Sequence, residues 1–129
     1  MNPRIEQELA LLKRYFSDLE YREEGQWVRL PRYPVPGEIW NRGETEVCFQ
    51  IPPGHPAQPP YGFFVPRDLQ LKSGAVVQNR ADSTEPPFTG SWAKFSWSLP
   101  DWRPTADLQS GSNLFNFAAS FRARFEEGA

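Results

Sequence analysis

Two residue types are rare enough in this chain to limit its chemistry. There is one cysteine, Cys48, and one histidine, His55. A single thiol forms no internal disulfide, which agrees with a reducing compartment. A zinc centre built from cysteine and histidine needs about four ligands, so none is expected. Cys48 sits in the run Thr45 to Ile51, where Thr45, Val47, Phe49 and Ile51 alternate with Glu46, Cys48 and Gln50. That period of two is a strand, and a lone strand cysteine reads first as a small buried hydrophobe. Its alternative is the nucleophile of an unrelated thiol enzyme. The carboxylate pairs Glu23-Glu24 and Glu126-Glu127 lie at a turn and in the tail. They read as solvated charge and not as a general acid and base. Trp92, Trp97 and Trp102 fall within one short segment. Clustered aromatics either pack a core or mark an interaction patch, because they bury much area at little entropic cost.

The elements that must hold these residues follow from periodicity. Asn2 can cap a first helix with Pro3 at its first position. Ile5, Leu9, Leu12 and Phe16 then form one apolar stripe, expected to pack on a sheet. Trp27 to Leu30 reads as a strand that ends in a turn at Leu30–Gly37, with Glu38 to Asn41 as a second short strand and Arg42-Gly43 as a turn. After the Thr45–Ile51 strand comes IPPGHPAQPPYGFFVP, whose six prolines exclude a helix. It predicts an extended passage into a strand at Tyr61 to Val65. Residues 78–91 are nearly devoid of apolar side chains and predict a long surface loop. The last element is a helix with the stripe Leu114, Phe117, Ala118, Phe121 and Phe125, starting near Asp107. Helices at both ends of a run of strands predict an α+β layer fold in a single domain, 1–129.

Composition removes several functions. The formal net charge is −2 and the basic residues are scattered, so no footprint for nucleic acid is present. No apolar run approaches the ~20 residues of a membrane span. The charged N-terminus does not resemble a signal peptide, and a cytoplasmic protein is expected.

Two local motifs within this order resemble the ubiquitin-conjugating-enzyme (UBC-like) superfamily. One is the proline-rich strand exit, Phe49-Gln50-Ile51-Pro52, then His55-Pro56, then Pro59-Pro60-Tyr61. The other is Trp102-Arg103-Pro104 ahead of an apolar helix. Trp92 to Pro104 is similar to a divergent prokaryotic branch, with its Trp-x-x-Phe-Ser segment followed by Trp-x-Pro. The resemblance spans about residues 1–125. It implies an N-terminal helix, a four-stranded antiparallel meander, a long loop with the active site, and a C-terminal helix. It implies no cofactor. It also implies, as partners in a bacterial conjugation pathway, a ubiquitin-like protein, an adenylating activating enzyme and an isopeptidase.

The departures bear on mechanism. The family's His-Pro-Asn triplet is absent, and Asn79, the only asparagine in the long loop, lacks such a flank. Counting back from Trp102 to where the nucleophile belongs gives Ser91, Trp92, Ala93 and Lys94, with no cysteine. A serine could carry the modifier as an oxyester if a general base were in reach. Ser96 is the first candidate and Ser98 the second. His55, Asp101 and Glu85 are candidate bases, although His55 occupies the family's tyrosine position and also suits a packing role. Arg4, Lys13 and Arg14 on the first helix, with Trp92 and Trp97, are the candidate partner-binding residues. Two alternatives stand beside this transferase reading. One is a catalytically silent UBC-like binding module. The other is an aromatic-rich peptide- or carbohydrate-binding domain.

Overall fold

The computed structural model describes residues 2–129. Its first helix, α1, is Pro3–Tyr15. Asn2 caps it, its side chain accepting from the Arg4 amide at 2.8 Å. Ile5, Leu9 and Leu12 are buried. Six strands follow: β1 Glu20–Arg22, β2 Trp27–Pro34, β3 Glu44–Gln50, β4 Phe63–Pro66, β5 Arg80–Ser83 and β6 Trp92–Phe95. The chain closes with α2, Leu114–Glu127. The strands form one antiparallel sheet in the order β1-β2-β3-β4-β6-β5. This is an α+β fold with a six-stranded sheet, where a meander of four strands was expected. One sheet packed by two helices also replaces any β-sandwich. No helix among the described residues is long and apolar enough to cross a membrane.

The sheet's alternation places Val28, Leu30, Val47, Phe49, Phe63, Val65 and Phe95 against the helices. Phe63 stacks on Phe121 of α2 at 4.0 Å between ring centres. Each fully buried phenylalanine contributes about 2–3 kcal/mol through removal of its area from water. The opposite face is not bare. Trp27, Cys48, Phe64 and Trp92 form a second cluster there, with Phe88 packed on it. Phe88 belongs to a strap, residues 84–91, that leaves β5, crosses this outer face and returns as β6. Arg22 of β1 donates to the Pro87 carbonyl at 3.2 Å, which ties the strap to the far edge of the sheet.

Four local expectations change. The proline-rich LPRYPVPG segment is mostly strand, since β2 runs through Pro34. The register shifts between Leu30 and Tyr33, and β1 pairs only with residues 27–29. Pro31 therefore falls in a bulge beside a free edge, where its missing N–H breaks no ladder. Glu38 to Asn41 is a turn and not a strand, because the amides of Ile39 and Trp40 both donate to the Pro36 carbonyl. Residues 78–91 are only partly loop, because Arg80–Ser83 is the polar edge strand β5. The second helix starts at Asn113 and not near Asp107. Asn113 and Asn116 cap each other's backbone N–H groups, whereas Asp107 accepts from the Gln109 amide in a local turn.

Candidate active site

Strand β6 carries the cleft that the serine candidates point to. Side chains at 92, 94 and 96 alternate onto the outer face, because Phe95 pairs with Phe63 and packs in the core. A cleft of about 390 Å³ opens there, lined by Asn79, Arg80, Ala81, Asp82, Ser83, Glu85, Lys94 and Ser96. Ser96 is exposed. Its amide donates to the Asn79 carbonyl at 2.9 Å, which fixes the backbone where β6 ends. Among the described residues its hydroxyl has no hydrogen-bond partner, so the oxygen faces solvent. Ser83, the cleft's other serine, is engaged, since its hydroxyl donates to Glu85 Oε2 at 3.3 Å.

Lys94 lies along the same cleft. Its Nζ is 5.8 Å from the Tyr61 ring centre, 5.4 Å from that of Phe64 and 3.9 Å from Glu85 Oε2. Gly62 makes room for it. A Cβ at Gly62 would stand 2.6 Å from Lys94 Cε and 3.1 Å from the Phe95 carbonyl, and the residue holds φ +77°, which disfavours a side chain. The Gly62 amide donates to the Trp97 carbonyl at 2.7 Å, so the lysine stem passes over the backbone opposite Ser96.

The other candidates are dispersed. Ser98 and Asp101 are exposed in the segment after β6, and Asp101 has φ 55°. His55 is on the helix side. Its Nε2 is 2.7 Å from Glu8 Oε2, and both side chains are fully buried. Arg4 Nε donates to the same oxygen at 2.6 Å, and the Leu114 amide donates to Glu8 Oε1 at 2.6 Å. Burial would raise the Glu8 carboxyl's pKa, but the hydrogen bonds from His55, Arg4 and Leu114 outweigh it and hold the pKa below its ordinary 4.5. This buried network ties α1, the proline-rich passage and the start of α2 together. No hydrogen bond or ion pair of His55 reaches Ser96 or Ser98. Arg4 also donates to the Thr105 carbonyl, so it is engaged within the fold. Lys13 and Arg14 are exposed in the last turn of α1 and have no ion pair among the described residues.

The three tryptophans divide in the same way. Trp92 is buried under the strap and donates to the Phe88 carbonyl at 3.1 Å. Trp97 is half-buried and donates to Ser120 of α2 at 3.0 Å. Trp102 donates to the Pro56 carbonyl at 2.7 Å and faces the His55 ring at 6.0 Å. Cys48 is fully buried between Trp27, Phe64 and Trp92, and burial pushes its thiol far above the ordinary range. A thiol held protonated in an apolar layer is a poor nucleophile. Among the described residues no three histidine, cysteine or acidic side chains are grouped to hold a metal ion.

A comparison with known families gives one match, to the family described as Prokaryotic E2 family E, over residues 6–112. The chain belongs to that family. No curated protein and no solved structure matches it. The matched span of this E2-family chain runs from the first turn of α1 to the residue before the Asn113 cap. It includes His55, the whole cleft, Ser96, Ser98 and the Trp102-Arg103-Pro104 motif, and it stops short of α2. Sequence reasoning reached Ser96 but missed the cleft's other side. Asn79 reaches Ser96 because β5 pairs with β6, Ala81 opposite Lys94, whereas Lys94 shares the face of Ser96 through the alternation of β6 itself. The charged edge strand that brings Asn79 there carries almost no periodic signal.

Proposed function

We propose that this E2-family chain is a component of a bacterial ubiquitin-like conjugation pathway that carries the modifier's C-terminus as an oxyester on Ser96. One observation carries the reading: among the described residues Ser96 presents an unpartnered hydroxyl in a cleft it shares with Lys94, while the chain's only thiol is buried in a different strand. An adenylating activating enzyme would supply the activated modifier, and an isopeptidase would reverse the modification. The exposed basic turn at Lys13 and Arg14 is the proposed docking surface for the activating enzyme. Trp97, next to Ser96 in the chain, would hold this end of β6 to α2 through Ser120.

The test is incubation with activating enzyme, ATP and modifier, followed by treatment of the adduct. An oxyester survives a reducing thiol and is cleaved by hydroxylamine. Ser96→Ala should remove the adduct and Ser98→Ala should leave it. Equal adduct in both variants would overturn the assignment.

The silent-module reading has one observation in its favour. The sole histidine is fixed on Glu8, and among the described residues Asp101 has no hydrogen bond to either serine, so neither supplies a general base to the hydroxyls. Under that reading wild-type protein forms no adduct, yet still retains the modifier or its enzyme on a column. Charge reversal at Lys13 and Arg14 should weaken that retention, and undiminished binding would argue against the α1 surface.

A further inference from the structure

We propose that Lys94 is the charge-stabilising residue of the Ser96 site, its ammonium receiving the negative charge that develops on the modifier's carbonyl oxygen as the ester forms. The inference rests on the Ser96 reading and adds the group that makes its chemistry feasible.

The cleft holds two cations, and only one of them is available. Arg80 belongs to the helix side of the sheet, its guanidinium over Phe95 at 5.7 Å and donating to the Leu69 carbonyl. Lys94 projects onto the outer face with Ser96 and is a third exposed. Its ion-pair partner among the described residues, Glu85, is 3.9 Å away, at the limit of an ion pair and itself 55% exposed. Such a pair is worth little in water and yields readily to a second oxygen. The Tyr61 and Phe64 rings restrain the ammonium from one side without using its N–H donors fully. Gly62 is the sequence's provision for this placement, since any side chain there meets the lysine stem.

The acyl donor is an activated carboxyl, either an acyl adenylate or a thioester of the activating enzyme. Ser96 Oγ forms a bond to the carbonyl carbon, and the carbonyl electron pair moves onto its oxygen beside Lys94 Nζ. The pair then returns and expels AMP or the thiolate. The hydroxyl proton leaves with that group. The lysine stays charged throughout, and it stabilises the oxyanion more than the neutral carbonyl.

Two variants test this, read as the single-turnover rate of ester formation with saturating modifier, with thermal melts to confirm folding. Lys94→Met should slow the step about a hundredfold, the usual effect of losing one oxyanion donor. Lys94→Arg keeps the charge and cannot act as a base, so it should stay within about tenfold of wild type. A Lys94→Met rate within about twofold of wild type would overturn the proposal, as would a Lys94→Arg variant as slow as the methionine one. If Ser96→Ala still forms the adduct, the Ser96 reading falls and this inference with it. If Ser96→Ala is inert while Lys94→Met is unimpaired, only the role of Lys94 is lost.

Discussion

Glu8 shows how a residue that reads as surface charge becomes the centre of a fold. It lies on α1 between Ile5 and Leu9, yet it is fully buried, with His55, Arg4 and the Leu114 amide as its partners. Removing one member of a buried charged network leaves the rest uncompensated, at a cost of about 3 kcal/mol or more. Glu8→Gln should therefore lower the urea midpoint strongly at pH 7. Its pH dependence has a fixed sign. The folded-state pKa of Glu8 is below its ordinary 4.5, so its contribution is present above that value and is lost as pH falls below it. Wild-type stability should drop on acidification below pH 4.5, and the Gln variant should lose less over the same range. Equal slopes would contradict the network. Tyr33 acts at the other end of the scale. Burial pushes its hydroxyl up to about 12, and that hydroxyl donates to the Ala118 carbonyl of α2 at 2.6 Å. A raised pKa on an acid favours its neutral form, so this stabilisation is present below pH 10 and is lost as pH climbs toward 12. Tyr33→Phe should cost about 1 kcal/mol at neutral pH and flatten the alkaline loss, as measured by urea unfolding at pH 9 and pH 11.5.

The strap is the element that most changes the picture of the outer sheet face. Its anchor, Phe88, covers the layer that hides Cys48. Phe88→Ala should leave the fold intact, cost about 1–2 kcal/mol because the ring is only half-buried, and raise the rate at which a thiol reagent labels Cys48 at least about tenfold. Unchanged labelling would mean that the sheet itself, and not the strap, protects the thiol. Elements with a strong local signal were legible in the sequence. The Asn2 cap, the α1 stripe, the alternation of β3 and the α2 stripe depend on residues a few positions apart, and the structure has all four. What was not legible depends on distant partners. Pro31 and Pro34 look like strand breakers until β1 proves too short to pair with them. Arg80-Ala81-Asp82-Ser83 looks like loop because an edge strand paired on one side can be polar. The same limit applied to the candidate site. Ser96 could be reached through the Trp-x-x-Phe-Ser resemblance, but the far wall of its cleft, Asn79 to Ser83, is set by β5–β6 register.

For the molecule as a whole, the helices cover one face of the sheet and the strap part of the other, which leaves the end of β6 as the place where an unpartnered hydroxyl, a weakly paired ammonium and a cleft coincide. The exposed Lys13–Arg14 turn belongs to a separate surface on α1, so docking and chemistry are assigned to different parts of the chain and should be separable by mutation. Reversing both charges should slow loading at low modifier-enzyme concentration and spare the rate at saturation, whereas Lys94→Met should slow it at every concentration. The most direct measurement is mass spectrometry of the loaded chain after proteolysis, which locates the modified residue without relying on variants. The account predicts the modifier's C-terminal remnant ester-linked to Ser96, in an adduct stable to reducing thiol. A remnant on Cys48, on a lysine or on any other serine would contradict it.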